Sequence, residues 1–299
     1  MSKYLFGRIV KVVIGTTNDE ALVFNEDFRI TFDVKSNLTS VANTAIIQLY
    51  NLSPATRATL SGVIKRNTEL GNAKQPLLTL TLYAGYSEGD GYKIVFNGNI
   101  TRMTTMQSIP DYITKIECGN GALPIKTSLI SQSYKAGIDS NTIINQIART
   151  MKLNISQASN YLQNNVQFAQ GVAFSGLAKT FMDKIAVAAN LTWYIDNGSM
   201  VIVEKGGAKL NEVILISPTT GMLKSPEKLE NQIGDTAEVV PTDGWKVTCL
   251  LMPDITPLQK IKIESKLVDG SYIVESVEHK GDNRGQDWTT TFQTKFLGL

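Results

Sequence analysis

The chain has 299 residues, 42% hydrophobic and 19% charged, which suits a globular chain with a sizeable core and more than one domain. Its 29 basic and 27 acidic residues leave a net charge of +2, so no overall electrostatic footprint for nucleic acid emerges. The longest apolar runs, such as IAVAA at residues 185–189, fall far short of a membrane span.

The N-terminus, MSKYLFGRIVKVVIG, reads as a first β-strand over residues 5–14. Lys11 interrupts the apolar run, against an export signal. Residues 28–35 (FRITFDVK) alternate Phe28, Ile30, Phe32 and Val34 against Arg29, Thr31, Asp33 and Lys35. That is a strand with one core face and one wet face. In NTAIIQLYNLSPATRATL, residues 43–60, Ala45, Ile47 and Leu49 share a face. Ile46 and Tyr50 make the other face partly apolar too, so cover on both sides is expected. Ser53 is placed to cap a helix, and Pro54 suits its first position; the helix should run to about residue 64.

Further strands are expected at residues 77–83, 92–105 and 111–118. The turn AGYSEGDG separates the first two. Even strand spacing favours a small barrel or sandwich. After Gly121 the pattern changes. Ser140 is placed to cap a helix with Ile143, Ile147 and Met151 on one face. A second helix is expected after Ser175, with Leu177, Phe181, Ile185 and Ala188 in line. The Gln- and Asn-rich stretch between them reads as irregular or a short strand. LTWYIDNGSMVIVE, residues 191–204, reads as a hairpin closed by an Asn197-Gly198 type I′ turn. Strands are then expected at residues 213–216, 245–251, 261–266, 271–278 and 287–296, with a long loop over 221–241. A faint echo links Tyr92-Lys93-Ile94-Val95 and Asp111-Tyr112-Ile113-Thr114 with Tyr272-Ile273-Val274 and Asp287-Trp288-Thr289-Thr290. It suggests two related β units around an α/β insert.

Catalytic vocabulary is sparse. His279 is the only histidine; it falls at an expected strand end and reads as a surface or edge residue. A multi-histidine metal site is therefore impossible, and neither SEGDG nor KGDNRG has calcium-loop spacing; both read as hairpin turns. Cys118 and Cys249 read as free buried thiols. No Walker-type phosphate loop is present, and Glu204-Lys205-Gly206-Gly207 lacks a following helix. Trp193, Trp245 and Trp288 read as packing residues. No cofactor, metal or enzymatic activity is expected.

Four stretches, in order, resemble phage and phage-like tail hub proteins, the late control protein D-like baseplate hubs of contractile tails. They are IIQLYNLSPATRATL, LTLYAGYSEGDGYKIVFNGNITRM, FSGLAKTFMDKIAVAANLTWYIDNGSMVIVEKG, and ISPTTGMLKSPEK together with GSYIVESVEHKGDNRGQDWTTTFQT. The resemblance implies a mainly β chain with an α/β insert (α+β). Tube-like β-barrels would occupy residues 1–120 and 207–299, and a small helix–hairpin domain residues 121–206. It implies a homotrimer forming a pseudo-sixfold ring between a hexameric tail tube protein and a trimeric central spike protein. Baseplate wedge and tape-measure proteins are further expected partners. Sequence-specific nucleic acid and membrane insertion are not. The implied location is the virion tail baseplate, assembled in the host bacterial cytoplasm. The helix after Ser53 would cover the outer face of a sheet. Lumen-facing residues should not be enriched in Lys or Arg, because a DNA channel should not grip phosphates. No lysozyme domain is recognisable. Interface candidates are Ile46, Gln48, Tyr50, Tyr86, Asp90, Asn283 and Arg284. Rival readings are a cell-wall-binding or wall-degrading accessory protein, a tail tube or tail-completion protein, and the hub of an injection or secretion system.

Overall fold

The computed structural model describes residues 6–15, 21–38, 43–69, 78–209, 212–233 and 238–296. Leu5 and Leu77, with which two expected strands begin, lie outside the described residues, as do residues 234–237 of the expected loop. The chain is mostly β, organised in large antiparallel sheets.

The first part contains β1 (Arg8–Gly15), β2 (Leu22–Phe24), β3 (Ile30–Asn37), β4 (Asn43–Tyr50), α1 (Pro54–Glu69), β5 (Thr79–Tyr86), β6 (Gly91–Ser108) and β7 (Asp111–Asn120). The middle contains α2 (Ala122–Thr127), β8 (Leu129–Tyr134), α3 (Ser140–Thr150), β9 (Asn154–Ile155), β10 (Val172–Leu177), α4 (Ala178–Ala188), β11 (Leu191–Asp196) and β12 (Ser199–Glu204). The last part contains β13 (Ile214–Ile216), β14 (Glu227–Ile233), β15 (Glu238–Leu250), β16 (Lys260–Glu264), β17 (Asp269–Asp282) and β18 (Trp288–Phe296).

The alternating strands bury the faces their sequences favour. Ile30, Phe32 and Val34 of β3 and Ala45, Ile47 and Leu49 of β4 are core residues, together with Val10, Val12, Leu80, Leu82, Phe96 and Ile116. The opposite face of β4 is less covered than its sequence suggests: Ile46 remains 36% exposed. The corner after β4 follows its chemistry. Asn51 takes a positive φ of 55°, and Ser53 Oγ accepts the Thr56 backbone N–H at 3.1 Å, capping α1. Leu52 and Leu60 drop into the core.

The insert has its own core, where Ile143, Ile147 and Met151 from α3 and its C-cap meet Phe181, Met182 and Ile185 of α4 and Trp193, Ile195, Met200 and Ile202 of the β11–β12 hairpin. The hairpin closes at Asn197-Gly198, both with positive φ. Two local expectations are corrected. Asp139, not Ser140, caps α3, because its carboxylate accepts the Thr142 N–H at 2.8 Å. Ser175 lies in β10, and α4 starts at Ala178; Leu177 is 38% exposed and Ala188 is also exposed. The other face of the hairpin is buried as well, with Tyr194, Val201 and Val203 packed on Leu258 and Ile273 of the last part.

The expected loop over 221–241 instead supplies β14 and the start of β15. Its polar residues hid this because an outermost strand leaves much of its surface wet. His279 is also corrected. It lies within β17, 3% exposed, with Nδ1 2.9 Å from Thr290 Oγ1. Sequence gave it a strand end, but β17 continues to Asp282 and is flanked by β18 and β3.

The strand order contains a repeat. From β3 the sheet runs β3-β4-β7-β6-β5-β1, and from β14 it runs β14-β15-β18-β17-β16-β13. Each long hairpin carries a bulge, between Ile100 and Arg102 in β6 and between Val274 and Ser276 in β17. From those bulges the registers coincide, except that β14 keeps the register only at Glu227 and Lys228 before it shifts against β15. Arg102, Glu117, Ile46 and Asp33 form one row across four strands. Ser276, Gln293, Lys246 and Glu227 form the other. Thr105 faces Thr114 as His279 faces Thr290. The backbone N–H of Asn51 donates to Tyr112 O, and that of Leu251 donates to Trp288 O. The halves differ at the end strand, since β1 is antiparallel to β5 whereas β13 is parallel to β16. The return limb of the echo, Asp111–Thr114 with Asp287–Thr290, is in register. The outgoing limb is not: Tyr272 corresponds to Gly98, not Tyr92.

The two β halves are joined by β3 and β17, which pair antiparallel from Ser276↔Asn37 to Asp282↔Thr31. Gly281 lies between Phe32 and Trp288, whose rings meet edge-on at 5.6 Å between centroids. A Cβ at Gly281 would fall well inside contact distance of the Phe32 ring. Gly281→Ala is therefore expected to cost about 2 kcal/mol in urea unfolding, by overpacking. Adding Phe32→Leu should recover part of that loss; simple additivity of the two would contradict the packing account.

Candidate assembly interface

The surfaces available for assembly follow from where the two β halves meet and where their strands end. At the meeting point, Arg29 leads into β3 and extends its guanidinium to Asp282 at 2.7 Å, while lying over the Tyr50 ring at 4.6 Å. Burial would raise the Asp282 carboxyl. The Arg29 guanidinium and the Arg284 backbone N–H more than offset this and hold it below the usual carboxylate range. Arg8 donates to the carbonyls of Gly285 at 2.7 Å and Gln286 at 3.3 Å, and sits 5.7 Å above the Trp288 ring. Trp288 and Leu251 belong to the core of the first half.

The structure places the seven candidate residues as follows. Ile46 stands exposed on the outer face of β4. Gln48 beside it accepts hydrogen bonds from Thr31 Oγ1 and Tyr50 Oη, each at 3.1 Å. Tyr50 is thereby tied to the Arg29–Asp282 pair. Asn283 accepts the Ile30 N–H at 2.9 Å and donates to Phe28 O at 2.8 Å. Arg284 donates to Asp27 O. Asp90 pairs with Lys93 at 2.7 Å, and Lys93 also reaches Asp254 of the second half. Tyr86 is buried at the end of β5, and burial pushes its phenol pKa up. Tyr50, Asn283 and Arg284 thus gather at the corner where β3 begins. Tyr86 and Asp90 line a cleft of about 990 Å³ between the halves, with Trp288 at its wall. Arg8, Arg29, Gly281 and Asp282 escaped the sequence reading, because the partners lie some 250 residues apart in the chain, as Arg29 and Asp282 do at 253.

Beyond the junction, the turn end of the β6–β7 hairpin, residues 107–112, extends past the last β4 pair, Tyr50↔Ile113. Residues 101–108 are exposed or half-exposed. Near its tip Met106 is 50%, Ile109 87% and Tyr112 38% exposed. Asn51 braces this tip through Asp111 at 2.8 Å and the Tyr112 N–H at 3.0 Å, and Arg57 covers the Tyr112 ring at 4.3 Å. Cys118 and Cys249 are buried free thiols, each pushed up to about 12 by burial. Among the described residues no His, Cys, Asp and Glu group suited to a metal is present, and no helix is long and apolar enough to cross a membrane.

The chain thus carries two similar, largely antiparallel β units around an α/β insert, with its ionic and aromatic contacts gathered at strand junctions. A family model described as baseplate hub gp41 matches residues 9–294. The chain belongs to that family, a structural phage baseplate hub family. No curated protein matches. Among solved structures, the fold is similar to the 43 kDa tail protein of prophage MuSo2 from Shewanella oneidensis, with a TM-score of 0.63, 8% identity, and coverage of 96% of this chain and 97% of that one. It is also similar to a tail protein from Neisseria meningitidis MC58, with a TM-score of 0.62, 12% identity and 97% coverage of both chains. A third likeness is the Escherichia coli c3393 protein, a type VI secretion component described as similar to T4 tail proteins gp27 and gp5. Its TM-score is 0.60 at 12% identity, covering 94% of this chain and 76% of that one.

The buried His279 gives the junction a pH dependence. Burial lowers its pKa from 6.5 to about 4, so the unfolded chain takes up the proton first. Its stabilising contribution is complete above pH 6.5 and is lost as pH falls from 6.5 towards 4, by at most about 3 kcal/mol. Urea titrations across that range should show the decline. In His279→Thr, which copies Thr105 of the first hairpin, the slope should be clearly shallower; an unchanged slope would contradict the assignment.

Proposed function

We propose that the chain is the hub of a contractile-tail baseplate. Three copies form a pseudo-sixfold ring that joins a hexameric tail tube to a trimeric central spike. The observation that carries this reading is the repeated strand order with its matched bulges. One chain that presents the same β unit twice gives six similar units from three copies, and so meets both sixfold and threefold neighbours. In this reading residues 1–120 and 207–299 are tube-like barrels, and residues 121–206 form the small α/β domain. The seven candidate residues serve the faces between units, either within one chain or between copies.

The function is geometric: the ring starts the tube, holds the spike and leaves a lumen whose wall is not enriched in Lys or Arg. It requires no reaction from this chain. The protein resides in the virion tail baseplate after assembly in the host bacterial cytoplasm, with wedge and tape-measure proteins as neighbours. The same geometry would serve a phage-derived injection system, a reading supported by the likeness to the type VI secretion component.

Native mass spectrometry of the purified chain tests the ring. Trimers are expected, and mixing with the tube protein should yield one trimer per hexameric tube ring. A chain that stays monomeric at tens of micromolar, or that forms hexamers alone, would contradict the hub reading.

A further inference from the structure

The internal repeat leaves one pairing unmade. In the second half, the part of β17 beyond its bulge has β18 on one edge and β3 on the other. The corresponding part of β6, residues 101–108, pairs with β7 alone, and among the described residues no strand lies along its other edge. The counterpart of β3 is β14, which among the described residues pairs with β15 alone and ends the sheet. Each chain therefore carries one joint already made, β3 on β17, and the two separated halves of an equivalent joint.

The composition of the open edge points the same way. Residues 101–108, TRMTTMQS, hold a single charge, Arg102, where solitary edge strands are usually blunted by charge or proline. Residues 102–106 form the outer edge of a sheet in which β7 and β4 lie behind them, and only Gln107 and Ser108 pair with β7 beyond the reach of β4. Met106 lies exposed along it. On β14, Glu227 and Lys228 are exposed, and Pro226 precedes the strand, so the new ladder runs along β14 from Glu227 onward.

We infer that β14 of one copy of this chain adds antiparallel to residues 101–108 of β6 in a second copy, remaking between copies the β3–β17 joint found within each. The repeat sets the register. His279 faces Val34 inside the chain. Its counterpart Thr105 then faces Lys228 of the neighbour, and Met106 faces Glu227, the two β14 residues that keep the register of the repeat. Backbone hydrogen bonds supply most of the attraction, as in other cases of strand addition, so the two joints need not share side chains. The contact is head-to-tail, and it closes into a ring when the rotation between copies is one third of a turn. This rests on the hub reading and adds the edges and the register by which the copies meet.

Cysteine crosslinking under mild oxidation tests it. Thr105→Cys and Lys228→Cys are made separately and mixed, so that any covalent dimer of unlike chains arises between copies. Paired Cβ atoms in such a register come close enough for a disulfide. Met106→Cys with Glu227→Cys, one step along the same register, guards against local damage in the first pair. Ser108→Cys with Lys228→Cys, three steps out of register, is the negative control. Both in-register pairs should crosslink at least tenfold faster than the control. With Thr105→Cys and Lys228→Cys in one chain, the covalent ladder should stop at three chains. Trimers that show no preference for the register would overturn this inference and leave the hub reading standing. A ladder that stops at two or continues past three would overturn the ring closure. Absence of any trimer would overturn both readings.

Discussion

The β3–β17 ladder is the constraint on which the rest of the structure depends. It converts two separate sheets into one, and its side chains reinforce the join on both faces. Phe32 and Trp288 fill the core side across Gly281. At the end of the ladder, Arg29, Asp282 and Arg8 seal the corner where solvent would otherwise reach it. The insert adds a second clamp. Asn197 Oδ1 accepts the Asn97 N–H at 2.9 Å, and Tyr194 Oη donates to Pro257 O at 2.9 Å, so one hairpin touches both β halves. Lys209, almost wholly buried, pairs with Asp196 at 2.9 Å beneath the same hairpin. A buried pair of this kind fixes geometry more surely than it adds stability.

Much of the local structure was legible because period-two alternation and turn chemistry act over a few residues. The strands at β3, β4 and β18, the Ser53 cap and the Asn197-Gly198 turn all follow from neighbours in the chain. The limits appeared where a residue's surroundings come from far away. His279 looked like an edge residue because the strand that covers it, β3, lies almost the whole chain away. β14 looked like a loop because an outermost strand retains polar side chains. The echo was legible only in part: its return limb was in register, while the outgoing limb was set six residues off, since Tyr-plus-aliphatic pairs recur freely in strands and the true anchor is a bulge, which has no sequence signature of its own.

In the proposed role, duplication is what gives the fold its use. A single β unit could tile only one symmetry. Two similar units on one chain can sit at alternate positions of a ring, similar enough to meet a sixfold partner and different enough to impose threefold order. The differences fall where such a role would place them. The first half has α1 bracing its hairpin tip through Asn51 and Arg57, whereas the second half has only the short connection of residues 251–259 at the corresponding place. The parallel β13–β16 pairing replaces the antiparallel β1–β5 pairing. These asymmetries distinguish two units that otherwise share one strand order.

A reconstruction of the assembled protein by electron cryomicroscopy, computed without imposed symmetry, tests the central claim most directly. The account expects threefold density in which six alike β units alternate and the sheets run without a break from chain to chain. A particle whose neighbouring units meet only through loops or helices, with every sheet ending inside its own chain, would contradict it.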